Sequence, residues 1–203
     1  MHISGEVVAT WFNFLRDNQD DPEVCRRYYE CFWESQLQSK QVVLDMIDRM
    51  DVYQCYIFGG WYGLLAQILH DSIRNHHPVV SVDIDPKCAI VINNYFNPED
   101  GIVAHTGDMA TYKYIIKPEL VINCSTEHVD QKTYDAWFDR IPLNTEYIIQ
   151  GNNLDIPEHI RLADDINHFK DINRCTKVID KRVTDCPGPN GIFQRYTIKG
   201  IKV

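Results

Sequence analysis

The 203-residue chain lacks several features that mark common protein classes. It has no run approaching the roughly 18 to 20 apolar residues of a membrane helix, so we expect no membrane span. None of its seven cysteines forms the C-x-x-C spacing of a structural zinc site, and we expect no metal. The first residues lack the basic and apolar regions of a signal peptide. Together these absences predict a cytoplasmic protein with free thiols.

Basic residues are also few. The chain has 20 Lys and Arg against 29 Asp and Glu, which gives a formal net charge of −9. Duplex binding depends largely on basic side chains that neutralise phosphates, so this balance argues against duplex nucleic acid as a partner. No repeat, low-complexity tract or linker divides the chain, and its length suits one domain with an appendage.

The N-terminal quarter has a helical pattern. Apolar residues recur there at helical spacing, namely Val7, Val8, Trp11, Phe12 and Leu15. After the break at Asp20-Asp21-Pro22, a second helical stretch is predicted from Glu23 to Met50. We expect residues 1–50 to form a helical extension or lid and residues 51–203 to form the main domain.

From residue 55 onward, short β-branched runs alternate with helical windows. The runs are Tyr56–Phe58, Val79–Ile84, Gly101–His105, Leu120–Asn123, Glu146–Gln150, Thr176–Val183 and Phe193–Ile201. Apolar strands separated by helices predict a parallel sheet covered on both faces. The last two runs are joined by the turn-rich segment Thr184–Gly191, which has no room for a helix. We therefore predict an α/β fold with a doubly wound, mostly parallel, seven-stranded sheet whose final pair is antiparallel.

The first strand run ends in a glycine-rich turn, Gly59-Gly-Trp-Tyr-Gly63. Such a turn brings backbone amides close to a nucleotide-like cofactor, although it can also be only a tight strand-to-helix connection. Asp83 ends the second strand, 20 residues after Gly63, at a spacing that suits a contact with ribose hydroxyls. Asp85, which precedes Pro86, suits the cap of the next helix better.

The third and fourth strand ends carry further polar groups. Asp108 can accept a hydrogen bond from an exocyclic amino group or cap a helix, and Met109 can pack on an adenine ring or in the core. Glu127 and His128 are candidates for a general-base pair, since partial burial shifts the pKa of such groups. Cys124 is a weaker candidate for a nucleophile, because free cysteines near sheets are usually packing residues. A metal site at Cys124 and His128 lacks further ligands at a suitable spacing.

The fifth strand end, Gln150-Gly-Asn-Asn153, offers side-chain amides. These groups can recognise both donors and acceptors on a substrate, or they can simply form an Asn/Gly turn. Both interpretations stay open at this point.

These segments together resemble the class I S-adenosylmethionine-dependent methyltransferases, and more narrowly a small group of methyltransferase-like proteins frequent in tailed-phage genomes. The resemblance covers roughly residues 35–203, and its segments are Ser39-Lys40, Gly59–Gly63, Asp83–Pro86, Asn123–His128, Trp137–Pro142, Gln150–Asn153 and Phe193–Tyr196. It implies S-adenosylmethionine as cofactor, with contacts from Gly59, Gly60, Trp61, Tyr62, Gly63, Asp83, Ile84, Asp108, Met109 and Asn123. It also implies Glu127 and His128 as catalytic residues. The residues implied for contact with the acceptor are Ser39, Lys40, Gln150, Asn152 and Arg195.

The chain departs from the general pattern of that family at two positions. Ile57 stands where the family has an acid, and Trp61 stands where it has the middle glycine of the first motif. No Asp/Asn-Pro-Pro-Tyr/Phe motif is present, so the resemblance does not extend to enzymes that methylate amino groups of DNA. No Pro-Cys dipeptide follows the fourth strand, which argues against cytosine-C5 chemistry.

Three functions are therefore compared. The first is methyl transfer to an unidentified acceptor, with a small molecule or protein favoured by the acidity of the chain. The second is a non-catalytic module that binds a nucleotide or a protein, as the altered first motif suggests. Nicotinamide-dependent oxidoreduction is disfavoured, because G-x-G-x-x-G requires glycine at Trp61 and Leu64. No feature of the sequence defines an oligomeric state.

Overall fold

The computed structural model describes residues 5–48, 51–96 and 101–203; Met50, the predicted end of the second helical stretch, lies outside them. The helices are α1 Gly5–Asp17, α2 Pro22–Glu30, α3 Glu34–Asp45, α4 Leu64–Ser72, α5 Pro86–Tyr95, α6 Gln131–Arg140 and α7 Ile166–Ile172. The strands are β1 Asp51–Val52, β2 Cys55–Phe58, β3 Arg74–Asn75, β4 Val79–Asp83, β5 Ile102–Thr106, β6 Leu120–Asn123, β7 Glu146–Asn152, β8 Lys177–Gly188 and β9 Gly191–Ile201. None of the helices in the described part of the chain combines the length and hydrophobicity that a membrane span requires.

Seven of the strands form one sheet in the order β5-β4-β2-β6-β7-β9-β8. The first five in this order run parallel to one another, and β9 runs antiparallel to both β7 and β8. The predicted α/β fold, its seven strands and its antiparallel final pair are therefore confirmed. The short strands β1 and β3 form a separate parallel pair that the sequence patterns did not indicate.

Hydrophobic cores lie on both faces of the sheet. Successive side chains of a strand point to opposite faces, so Ile57 lies in one core while Tyr56 and Phe58 lie in the other. The first core includes Leu65 and Leu69 of α4, and the second includes Trp137 of α6. Both faces are thus covered by helices, as expected for a doubly wound sheet.

The N-terminal helices differ from their predicted form. The helical stretch that was predicted from Glu23 divides into α2 and α3, which pack on different partners, and Ser39 lies within α3 and not at the break. Tyr28 of α2 packs with Phe14 of α1, whereas Val43 of α3 lies in a core of the main sheet. Because the two helices pack against different surfaces, their axes point in different directions, and the chain turns between them. In α1, Phe12 of the apolar pattern is 68% exposed, because Val7, Trp11 and Phe14 form the inward line.

The segment Thr184–Gly191 was predicted as a turn-rich connection, but most of it belongs to β8. Pairing with β9 continues as far as Gly188 opposite Gly191, so the turn itself is short. Pro187 is accepted within this strand because β8 lies at the edge of the sheet, where a missing N–H costs no ladder hydrogen bond.

Candidate functional site

A cavity of about 1200 Å³ lies beyond the carboxyl ends of the parallel strands. The strand ends contribute Gly59, Asp83 and Ser125 to its wall, while Trp33 comes from the segment between α2 and α3. The hairpin of β8 and β9 contributes Phe193 to the opposite side. Ligand sites for one small molecule usually occupy about 300–1,000 Å³, and the volume of this cavity exceeds that range.

The glycine-rich turn holds a strained backbone at the floor of the cavity. Gly59 and Trp61 both have left-handed backbone angles, with φ of +61° and +50°. This conformation costs a residue with a side chain about 1–2 kcal/mol. The backbone at position 61 therefore has the shape that suits the glycine of the related motif, although the residue is tryptophan.

The turn is packed too closely for side chains at its first two positions. A Cβ atom on Gly59 would overlap the hydroxyl of Ser125 after β6, and one on Gly60 would overlap the hydroxyl of Ser81 on β4. Both glycines are therefore required by the neighbouring strands, whatever the cavity binds.

Asp83 ties the end of β4 to the glycine-rich turn. Its Oδ2 accepts a hydrogen bond of 2.9 Å from the backbone N–H of Trp61, and its Oδ1 accepts one of 3.0 Å from Asp85. Each carboxylate oxygen keeps a further lone pair, and the residue lines the cavity. The carboxylate is therefore held in place where ribose hydroxyls were expected to bind.

Asp85 has the capping role that the sequence predicted. Its carboxylate accepts a hydrogen bond of 2.9 Å from Lys87 at the N-terminus of α5, with Pro86 in the first position. A second interaction, an ion pair of 2.7 Å with Arg27, joins α5 to α2. The predicted role of Asp85 as a helix cap is confirmed, and the ribose contact of Asp83 stays a prediction.

The predicted adenine region is partly apolar. Ile84 lines the cavity with 73% of its surface exposed, and Met109 lines it beside the second hydrophobic core. Asp108 also lines the cavity, but its carboxylate accepts a hydrogen bond of 2.8 Å from Ala110 in a turn. The competing interpretation of Asp108 as a helix cap is wrong, because no helix begins there in the described chain.

Glu127 is a buried carboxylate on a 3-10 turn, Thr126–His128, that follows β6. It is 2% exposed, and its Oε1 accepts a hydrogen bond of 2.6 Å from the Asn152 side chain. The Arg195 guanidinium lies 3.5 Å from the same oxygen. Oε2 has no hydrogen-bond partner within residues 5–48, 51–96 and 101–203.

Two histidine rings lie beside this carboxylate. His128 and His159 meet edge to face with their ring centroids 4.8 Å apart. Sequence reasoning missed His159, which lies in the irregular segment between β7 and α7 and has no motif around it. Burial lowers its pKa, so the ring is neutral near pH 7.

Lys40 and Cys124 occupy another part of the wall. The Lys40 ammonium donates a hydrogen bond of 3.0 Å to the Gln36 side chain, and burial lowers its pKa to about 8. Burial raises the pKa of the Cys124 thiol to about 11, so this cysteine is protonated at neutral pH. This protonation state argues against Cys124 as a nucleophile.

Several predicted site residues lie behind the wall and not on it, as far as the described residues show. They are Tyr62, Gly63, Asn123, Ser39, Gln150 and Asn152. The Gln150 side chain donates to the backbone oxygen of Ser39 at 3.0 Å and to the Thr197 hydroxyl at 2.9 Å. Asn123 is fully buried and accepts a hydrogen bond of 3.0 Å from Ser125. In this arrangement they support the residues that face the cavity, and their direct contact with a ligand stays a prediction.

Comparison with known proteins gives a consistent fold. No family profile and no curated protein matches the chain. Among solved structures, the N-methyltransferase NodS from Bradyrhizobium japonicum WM9 with S-adenosyl-L-homocysteine is similar, with a TM-score of 0.67, 8% identity and coverage of 94% of this chain and 98% of that one. The YcgJ protein from Bacillus subtilis has a TM-score of 0.63, with 10% identity over 82% of this chain and 98% of that one.

A third neighbour is geranyl diphosphate C-methyltransferase from Streptomyces coelicolor A3(2), in complex with Mg²⁺, geranyl diphosphate and S-adenosyl-L-homocysteine. Its TM-score is 0.63, with 11% identity over 83% of this chain and 78% of that one. Identities this low establish shared architecture and not shared activity. The chain therefore has the Rossmann-like fold of the class I S-adenosylmethionine-dependent methyltransferases.

Proposed function

We propose that the chain binds S-adenosylmethionine and transfers its methyl group to an acceptor held in the same cavity. The observation that carries this proposal is that one cavity joins the cofactor-type groups of the first strands to the Glu127–His128 pair after β6. Similar folds have been solved with S-adenosyl-L-homocysteine bound, which supports the choice of cofactor.

The residues present fit this cofactor. Gly59, Gly60 and Trp61 line the cavity, and the fixed carboxylate of Asp83 can accept hydrogen bonds from ribose hydroxyls. The exposed side chain of Ile84 can cover one face of an adenine ring, and Met109 can cover the other. Lys40 and Arg195 place positive charge on the wall, where a carboxylate of the cofactor or the acceptor can bind.

Acceptor activation is assigned to Glu127 and His128. When bound, S-adenosylmethionine supplies an already activated methyl group, so the protein mainly has to align the acceptor. The Nδ1 atom of His128 lies 3.1 Å from the backbone oxygen of Glu158, which leaves Nε2 as the atom that can take a proton from the acceptor. The adjacent Glu127 carboxylate stabilises the charge that this proton creates.

The acceptor is proposed to be a small molecule or a protein side chain. The cavity is a concave space between helices and sheet, and the formal net charge of −9 repels a polyanion. Helices α1–α3 are proposed to act as the lid that selects the acceptor. On the sequence resemblance to methyltransferase-like proteins of tailed phages, we propose a phage-encoded enzyme that works in the host cytoplasm.

A second candidate function is cofactor or nucleotide binding without catalysis. Ile57 is 1% exposed and lines the cavity where the related motif has an acid, and Trp61 replaces a glycine. These replacements support a pocket that sequesters its ligand. The variant His128→Ala separates the two candidates: a binding module keeps its biological effect, and an enzyme loses it.

Calorimetric titration with S-adenosylmethionine and S-adenosylhomocysteine tests the proposal. The variant Ile84→Ser removes one apolar wall of the proposed adenine site, and covering half of an isoleucine side chain contributes about 1 kcal/mol, or about fivefold in affinity. Because Ile84 is already exposed, its replacement should leave the free energy of unfolding unchanged. Ile115→Ser is the matched control, since Ile115 is 76% exposed and does not line the cavity. Absence of binding by the wild-type protein at millimolar cofactor refutes the proposal.

A further inference from the structure

Three side chains of the metal-binding type meet at one point of the cavity. Glu127, His128 and His159 each bring a ligand atom within 4.8 Å of the other two. The first two are neighbours on the 3-10 turn after β6, and the third comes from the segment after β7. No sequence motif indicates this cluster, because His159 lies 31 positions after His128 in the chain.

Both rings have the backbone partner that metal-binding histidines usually have. The Nδ1 atom of His128 lies 3.1 Å from the backbone oxygen of Glu158, and that of His159 lies 2.8 Å from the backbone oxygen of Leu154. A hydrogen on each Nδ1 satisfies these carbonyls and leaves the Nε2 lone pair free. Such carbonyl partners fix the tautomer of ligating imidazoles in metal sites.

The carboxylate supplies an independent observation. Glu127 is 2% exposed, and its Oε1 accepts a hydrogen bond from Asn152, whereas Oε2 is buried without a partner among the described residues. A buried carboxylate oxygen without a hydrogen bond costs free energy that a ligand can recover. A carboxylate that binds a metal usually shows the same pattern: one oxygen accepts a hydrogen bond from a supporting amide, and the other is left for the ion.

Distances and charge indicate which ion fits. Three atoms at most 4.8 Å apart surround a point about 2.8 Å or less from each, so small side-chain rotations reach a bond of about 2.1 Å to zinc. The Arg195 guanidinium beside Oε1 offsets part of the carboxylate charge. A hard ion that binds mainly by charge, such as Mg²⁺, is therefore disfavoured against an ion that prefers imidazole.

We propose that Glu127, His128 and His159 bind one divalent transition-metal ion of the Zn²⁺ or Co²⁺ class. The remaining coordination positions face the cavity, where an acceptor oxygen or nitrogen can bind. With the ion bound, Glu127 and His128 would serve as ligands and not as bases: the metal would lower the pKa of a bound acceptor group, and the proton would leave to water in the cavity. The three metal-binding side chains lie together without a bound cofactor, so metal binding does not depend on methyl transfer.

Titration of tag-free, chelator-treated full-length protein with Co²⁺ alone tests the proposal. We expect one equivalent to bind with visible d–d absorption of a low-symmetry site, and Zn²⁺ to displace it. His159→Gln should weaken the affinity at least tenfold. If Co²⁺ bound at another place on the protein, removal of His159 would leave its affinity and its spectrum unchanged, and the proposal would be overturned.

His168→Gln is the matched control, because His168 pairs with the Asp164 carboxylate at 3.0 Å outside the cavity. It should bind Co²⁺ like the wild type. Wild-type protein without stoichiometric binding, or equal weakening by His168→Gln and His159→Gln, overturns the proposal. Neither histidine variant removes a buried charge, so both should fold like the wild type. Circular dichroism verifies that they are folded. Calorimetry with S-adenosylhomocysteine on the same samples keeps failure of the metal site distinct from failure of the cofactor site.

Discussion

Replacing Gly60 with alanine tests why the turn after β2 contains glycine. The new Cβ would overlap the Ser81 hydroxyl on β4, and its distance to the Ser81 Cβ would be 3.2 Å. Gly60 is not in the left-handed region, so crowding and not backbone strain opposes the substitution. Overpacking of this kind costs about 1–3 kcal/mol, and the lower unfolded-state entropy of alanine recovers about 0.4–1 kcal/mol. We expect a net loss of about 1–2 kcal/mol in the free energy of unfolding.

The second variant, Ser81→Ala, removes the group that the new Cβ would meet. The Ser81 hydroxyl is buried without a partner among the described residues, so its loss alone should change the free energy of unfolding by less than about 0.5 kcal/mol. The double variant keeps only the 3.2 Å contact, which a shift of a few tenths of an ångström relieves. We expect it to recover about 1 kcal/mol.

Urea denaturation of the wild type, both single variants and the double variant gives the coupling free energy directly. If the change in the free energy of unfolding of the double variant equals the sum of the two single changes, the assignment of Gly60 to packing against Ser81 is refuted. The variants Gly59→Ala and Ser125→Ala, alone and together, provide a comparison. Removing the Ser125 hydroxyl should restore only part of the stability lost in Gly59→Ala, because φ of +61° strains alanine even without that contact.

Three other expectations concern titratable groups. Burial raises the pKa of Asp85, but hydrogen bonds from Lys87 and Arg27 outweigh it and hold the pKa below 3.8. Its stabilisation is therefore fully present above pH 3.8 and is lost as the pH falls through the lowered folded-state pKa, so Asp85→Asn, which keeps a capping side chain but removes the charge, should lower the thermal unfolding temperature more at pH 7 than in acid. In an NMR titration of ¹³C-dimethylated protein, Lys40 should titrate near pH 8, and a midpoint above 10 contradicts its burial. Cys124, with its pKa raised to about 11, should react with iodoacetamide at pH 7.5 at least tenfold more slowly than a free thiol, as mass spectrometry of the labelled peptide will show.

The sheet and the first half of the site followed from local patterns. Apolar runs that alternate with helical windows fix a parallel sheet, and a turn-rich join too short for a helix fixes the antiparallel pair. The aspartate before Pro86 caps α5 as predicted, since capping depends only on neighbours in the chain.

Features that depend on distant partners were not predictable in the same way. His159 reaches Glu127 only because the chain folds back after β7, and no local pattern records that path. The break between α2 and α3 and the inward position of Phe14 depend on which surface each helix covers. Pro187 looked like part of a turn because the pattern does not show that β8 is an edge strand.

Hydrogen exchange with millimolar S-adenosylhomocysteine tests the central claim most directly, because it shows both whether the cofactor class binds and where. We expect slower backbone exchange at three strand ends, residues 59–63, 83–85 and 107–110, which line or support the cavity. The distant segment Arg74–Asn75 should be unchanged. Unchanged exchange throughout the chain, or protection only away from the carboxyl ends of the parallel strands, would contradict the account.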